Sequence, residues 1–205
     1  MKEYMKFDKI TQLKPKKFTE ECVLISVYFI LNRIRDNWFL NYISAPGGAW
    51  QELKILKNKV EHRFYIGKNE KRADLVMQKE NKTSLFYVAE AKEFFRQILN
   101  EREKIDNSIK SIFNRIKRLK GNKASPIYSY IIGIDTSNLK GNVFKKIINN
   151  EVNLVRSLID KLPPVEGGRV CILTYWQGNQ TKFNLVFSQD FSEELAEMFK
   201  KIFLL

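Results

Sequence analysis

A chain of 205 residues with 36 Lys and Arg against 23 Asp and Glu carries a net charge of +13, and its isoelectric point is about 9.6. That length suits one domain with a sizeable core, while two cysteines and a single histidine exclude a disulfide framework, a cysteine-rich zinc site and a histidine-rich metal centre. The surplus of cations is the electrostatic footprint of a phosphate-backbone binder, although DNA, RNA and an anionic membrane would all satisfy it, and part of it reflects a general richness in Lys, Asn and Ile.

Residues 1–18 are polar and lysine-rich, and Lys14-Pro15-Lys16-Lys17 argues for an irregular basic N-terminal arm ahead of a single domain over 19–205. Thr19 followed by Glu20 and Glu21 reads as a helix start, and the apolar stretch from Cys22 to Leu31 continues that helix toward Trp38. This stretch is too short to span a bilayer and lies too far behind a polar start to resemble a signal peptide. Reduced thiols at Cys22 and Cys171 and a cytoplasmic address are therefore expected. After Pro46-Gly47-Gly48, the spacing of Ala49, Leu53, Leu56 and Val60 predicts a second helix. Glu52 falls on its apolar stripe, either at the edge or aimed at a buried cation.

Ala73-Asp74-Leu75-Val76-Met77 and Leu85-Phe86-Tyr87-Val88-Ala89 read as two strands, with the polar stretch Gln78 to Lys82 as the turn of a hairpin. Side chains alternate faces along a strand, so Phe86, Val88, Glu90 and Lys92 share one face, as do Asp74 and Val76 on the neighbouring strand. One face thus changes abruptly from apolar to ionic. An acid and a lysine beside Val88 are costly there unless they pair or coordinate something. Two similar triplets, Glu52-Leu53-Lys54 and Glu80-Asn81-Lys82, lack this context.

Beyond Lys92, the residues Ile98, Ile105, Ile109, Ile112, Ile116 and Leu119 form a helical stripe ending at Gly121, and Lys110, Arg115, Lys117, Arg118 and Lys120 give its last turns a basic face. Such cations either sit in solvent, favoured by the helix dipole, or contact phosphates and impose a salt dependence. Ile127 to Ile134 reads as a further strand, and Val143, Ile147, Ile148, Val152, Val155 and Ile159 as a helix stopped by Pro163-Pro164. Arg169 to Trp176 and Thr181 to Phe187 read as a hairpin closed by Gln177-Gly178-Asn179-Gln180. The amides of Gln177, Asn179 and Gln180, beside Lys182, suit paired hydrogen bonds to adenine in a major groove, though tight turns are polar in any protein. Ser192 is positioned as the N-cap of a last helix carrying Leu195, Met198, Phe199 and Ile202. The count predicts an α/β domain, a central mixed β-sheet flanked by α-helices.

Glu52 on a helix, Asp74 on a strand and Glu90-Ala91-Lys92 on the next strand, in that order, resemble the PD-(D/E)XK nuclease superfamily, to which most type II restriction endonucleases belong. The resemblance covers about residues 44–137, and Ala73 stands where the family's name expects proline. It implies a restriction-endonuclease-like fold and a Mg²⁺-dependent endonuclease that hydrolyses DNA phosphodiester bonds, with Mn²⁺ able to substitute. It also implies a catalytic set of Asp74, Glu90, Lys92 and Glu52. Asp74, Glu90 and the backbone carbonyl of Ala91 would hold Mg²⁺, Glu52 a second metal or its water, and Lys92 would orient or deprotonate the attacking water, leaving a 5′-phosphate and a 3′-hydroxyl. The plain alternative is an ordinary strand-end ion pair of Lys92 with Glu90 or Glu93, with Asp74 capping a turn. A chain of this size without a P-loop or appended module suits a type II restriction endonuclease cutting double-stranded DNA at a defined site, as a homodimer or with a partner subunit that supplies recognition. A junction resolvase or mobile-element nuclease would use the same core, and a non-catalytic basic DNA-binding module would retain the same fold.

Overall fold

Strands buried on both faces take the middle of a sheet, and strands with one wet face take its margins. The computed structural model of the chain describes Val27 and residues 38–43, 51–57, 60–66, 73–79, 84–120, 124–134, 136, 139, 141–177 and 180–203. Its strands are β1 (Trp38–Ile43), β2 (Gln51–Lys57), β3 (Val60–Ile66), β4 (Leu75–Lys79), β5 (Leu85–Lys92), β6 (Ser125–Ile134), β7 (Arg169–Gln177) and β8 (Gln180–Phe187). The helices are α1 (Phe95–Asn100), α2 (Arg102–Lys120), α3 (Gly141–Leu158) and α4 (Glu193–Phe203), with a short 3₁₀ turn, Ile159–Lys161, extending α3. Six strands form one sheet in the order β1-β4-β5-β6-β7-β8, and β2 and β3 form a separate hairpin. Central β5 and β6 are buried almost throughout, whereas β8, at the margin, is mostly half-exposed.

The sheet is mixed: β4 is antiparallel to β5, β5 to β7 run parallel, and β8 returns antiparallel. Parallel neighbours need crossovers, and β5 to β6 to β7 advance in one direction, so two crossovers of the same hand bring α1, α2 and α3 to the same face. On that face Val76, Phe86, Val88, Tyr130 and Leu173 pack against Phe95, Ile98, Ile109, Phe113, Val152 and Val155. On the other, Leu75, Met77, Tyr87, Ala89 and Ile131 meet Val27, Trp38 and the α4 residues Phe199, Ile202 and Phe203. The alternation read from β5 is thus realised, with Phe86 and Val88 under α1–α3 and Leu85, Tyr87, Ala89 and Ala91 under α4. Each large side chain sealed in this way, Tyr87 and Phe86 among them, stabilises the fold by roughly 1.5–3 kcal/mol.

Two expectations fail locally. The helix expected over Ala49 to Val60 is the strand pair β2–β3 in the register Lys57↔Val60, so Glu52 lies on a strand opposite Tyr65. Val60, Phe64, Tyr65 and Ile66 are β-branched or aromatic and suit residues 60–66 to a strand that partners 51–57, and cross-strand pairing outweighs a helical stripe that has no cap. Leu53 still reaches the core, fully buried with Val76 and Val88. Trp38, expected at the end of a helix, instead opens β1, which pairs with β4 and draws Gln78 and Lys79 out of the expected turn into the ladder. Of the first helix only Val27 is described, helical and buried, and residues 1–18 and the Glu80-Asn81-Lys82 turn lie outside the described residues. The remaining elements agree with expectation to within a few residues, except that the stripe from Ile98 to Leu119 is divided between α1 and α2 at Glu101.

Candidate active site

Antiparallel pairing of Leu75 with Ala89 sets Asp74, at the head of β4, against Glu90 near the end of β5. The backbone amide of Asp74 donates to the Ala89 carbonyl at 2.9 Å, and the Ala91 amide donates to Asp74 Oδ2 at 2.8 Å. The carboxylate is thereby fixed against β5 in a charge-assisted bond. Lys92 Nζ donates to Glu90 Oε1 at 3.4 Å, with side-chain exposures of 19% and 12%. Asp74, Glu90 and Lys92 therefore occupy neighbouring ladder positions where the apolar face ends, with Glu90 buried and Asp74 and Lys92 half-buried. Asp74, Glu90 and Lys92 are together; the side chain of Glu52 lies outside the described residues.

The turn after Lys92 is held by residues that sequence reading did not single out. Gln97 Oε1 accepts from the amides of Glu93 and Phe94, each at 3.0 Å, while the Gln97 amide donates to the Phe94 carbonyl at 3.1 Å. Glu151 of α3 reaches across, its Oε2 accepting from the Phe95 amide at 3.2 Å. These acceptors satisfy amides that a helix start leaves without intrahelical partners. A glutamine three residues after an N-cap position was the legible signal for Gln97; for Glu151, 56 residues away, there was none.

The expected DNA-contacting residues divide between two edges of the sheet. The chain leaves β5 at Lys92, returns along α2 and enters β6 at Ser125, which pairs with Leu85 at the opposite end of β5. The last turn of α2, with Lys117, Arg118 and Lys120, therefore lies toward the Leu85 end of β5, which is about 17 Å from the Glu90 level at 3.3 Å per strand residue. Lys117 is engaged there with Glu166 at 2.9 Å and with the Phe113 ring at 4.8 Å. Lys110 and Arg118 are exposed, and Arg115 and Lys120 are half-buried. The β7–β8 tip takes the other edge: Lys92 is level with Ile132, Ile132 with Leu173 and Leu173 with Asn184. Beyond that row stand exposed Lys182 and the pair Gln177↔Gln180. Gln177 and Gln180 are ladder residues, and their side chains, like Asn179, lie outside the described residues.

A second charged cluster lies deeper on the same face. Tyr130 Oη donates to Asp106 Oδ1 at 2.7 Å, Arg169 Nε donates to Tyr130 Oη at 3.1 Å, and an Arg169 terminal nitrogen meets Asp106 Oδ2 at 3.4 Å. Burial, partly offset by Arg169, pushes the Tyr130 phenol far above its ordinary value. Gly168 holds Arg169 in place, with a left-handed φ of 72° and a backbone so close to Phe191 that a Cβ would fall 2.6 Å from it.

Among the described residues no group of three or more His, Cys, Asp and Glu side chains is placed to hold a metal, and no helix is long and apolar enough to cross a membrane. No known protein family, no characterised protein and no solved structure matches the chain.

Proposed function

We propose that the chain is a Mg²⁺-dependent endonuclease acting on DNA phosphodiester bonds, with a restriction-endonuclease-like fold and a type II restriction role. The observation that carries this reading is the register that sets Asp74 level with Glu90, whose carboxylate Lys92 meets, at the ionic end of an apolar face. The donor set fits the metal: Mg²⁺ is commonly held by one or two carboxylates together with waters and substrate phosphate, so a third acidic side chain is not required. Asp74 and Glu90 would hold it, with the Ala91 carbonyl as a further oxygen and Glu52 reserved for a second ion or its water. When bound, Mg²⁺ supplies charge neutralisation at the phosphate and acidifies a water.

The chain's own groups do the rest. Asp74, anchored by the Ala91 amide, presents its carboxylate from a fixed position. Lys92, whose ammonium rests on Glu90, would orient the attacking water and donate to a phosphate oxygen as charge develops. Attack at phosphorus breaks the bond to the 3′-oxygen, which leaves as a hydroxyl after taking a proton, and the phosphate stays on the 5′ side. A double-strand cut needs two such centres, so a homodimer or a second subunit belongs to this reading.

The test is incubation of the full chain with supercoiled plasmid and Mg²⁺, then Mn²⁺, beside Lys92→Ala and Asp74→Asn, followed by mapping of the ends. Discrete fragments from the wild type alone support the restriction role, and cutting confined to branched DNA supports a junction resolvase on the same core. The Lys92–Glu90 ion pair is equally what a non-catalytic DNA-binding module would keep. Binding without cutting in either metal would establish that second reading and sink the first.

A further inference from the structure

Phe94 is the one aromatic side chain among the described residues that is exposed, at 41%, in a chain that seals Tyr87, Tyr130, Phe95 and Phe199 almost completely. It stands two positions after Lys92. Its neighbour Phe95 turns inward against the Tyr130 ring, at a centroid separation of 6.4 Å, so consecutive phenylalanines serve opposite sides of one turn. The outward one is rigidly mounted: its amide is held by Gln97 Oε1 at 3.0 Å, its carbonyl accepts from the Gln97 amide at 3.1 Å, and its backbone is extended, with φ −137° and ψ 147°. A polar residue would occupy that turn without leaving a ring in water. An exposed ring on a held backbone, two residues along the chain from the Lys92 ammonium, suits a flat base carried next to a phosphate, whose charge Lys92 and a cation held by Asp74 and Glu90 would meet.

We propose that Phe94 stacks on a nucleobase adjoining the phosphate engaged at Asp74, Glu90 and Lys92, so that duplex DNA is engaged with that base turned out of its stack, and DNA that already carries an interruption there is bound more tightly than perfect duplex. The interruption is a single-stranded segment, an unpaired base or a branch point. This rests on the nuclease reading and specifies its substrate. A base already out of the stack offers its face without the cost of unpairing, and the ring then selects structure more than sequence.

The experiment uses the full chain, without divalent ions, and oligonucleotides bearing a fluorescent purine analogue quenched by stacking, offered as a single strand, as a duplex with one unpaired base and as a perfect duplex. Wild type and Phe94→Tyr are expected to quench the analogue in the first two. Phe94→Ala is expected to lose the quenching and about tenfold in affinity for them, while its affinity for the perfect duplex stays within about twofold. Equal quenching by Phe94→Ala, an equal loss on all three probes, or a change of self-association in sedimentation would each overturn the inference. Plasmid cutting by the wild type and its loss in Lys92→Ala report separately on the nuclease reading, so cutting with unchanged quenching in Phe94→Ala rejects the stacking role alone.

Discussion

Asp106 with Arg169 and Glu90 with Lys92 are both acid–cation pairs on the helix-covered face, and both have a nitrogen–oxygen separation of 3.4 Å. Their surroundings differ. Arg169 and Asp106 are exposed by only 3% and 10%, and the Tyr130 hydroxyl bridges them, donating to one and accepting from the other. Lys92 and Glu90, exposed by 19% and 12%, sit at the last residues of β5, beside Asp74 and a turn clasped by Gln97 and Glu151. Distance alone does not separate a structural pair from a reactive one. Connection does under the nuclease reading: a mutually satisfied network of Asp106, Tyr130 and Arg169 holds helix α2 to β6 and β7, whereas the half-buried Lys92 at the end of β5 would exchange its partner for a ligand.

The comparison is tested most severely by Lys92→Ala, which should lower plasmid cleavage per folded molecule by about a thousandfold or more while costing less stability than Asp106→Ala, because the lost ammonium is the half-buried partner and the buried Glu90 keeps its other contacts. A comparable fall in melting temperature would make that pair structural too. Asp106→Ala should do the reverse, lowering stability by roughly 3–5 kcal/mol in urea unfolding because Arg169 is left buried and uncompensated, with little effect on the cleavage rate of the folded fraction. Replacing the whole cluster together, Asp106→Leu with Tyr130→Phe and Arg169→Met, should recover most of that loss, since apolar side chains of similar volume do not need the pairing. Tyr130→Phe alone should cost about 1–2 kcal/mol, by leaving Asp106 and Arg169 each one bond short.

The smallest effect is on pH. Burial pushes the phenols of Tyr87 and Tyr130 and the thiol of Cys171 well above their ordinary values. An unfolded chain releases these protons earlier, at 9.0 for the thiol and 10.0 for the phenols, so the folded state binds more protons above that range. Stability should be whole below about pH 9 and decline as the pH rises further, by up to roughly 1.4 kcal/mol per pH unit for each group. Urea midpoints from pH 8 to 11 measure the slope, and Tyr130→Phe should make it shallower; an unchanged slope would mean that the phenol does not stay protonated in the fold.

The sequence by itself determined what depends on near neighbours along the chain: the β4–β5 hairpin, the opposite faces of Phe86 and Tyr87, and the placing of Asp74, Glu90 and Lys92 where an apolar face turns ionic. Alternation is a local property of an extended backbone, so it needs no knowledge of the partner. Tertiary structure decided the rest. Glu52 went to a strand because residues 60–66 offered a ladder that no helical stripe could match, and Trp38 opened an edge strand because β4 had a free side for it. The crossover from β5 to β6 carried the basic end of α2 away from the carboxylates, and a bond from Glu151 on α3 reached the turn at Phe95. Each of these depends on groups far apart in sequence, whose meeting is governed by chain topology and not by any local preference.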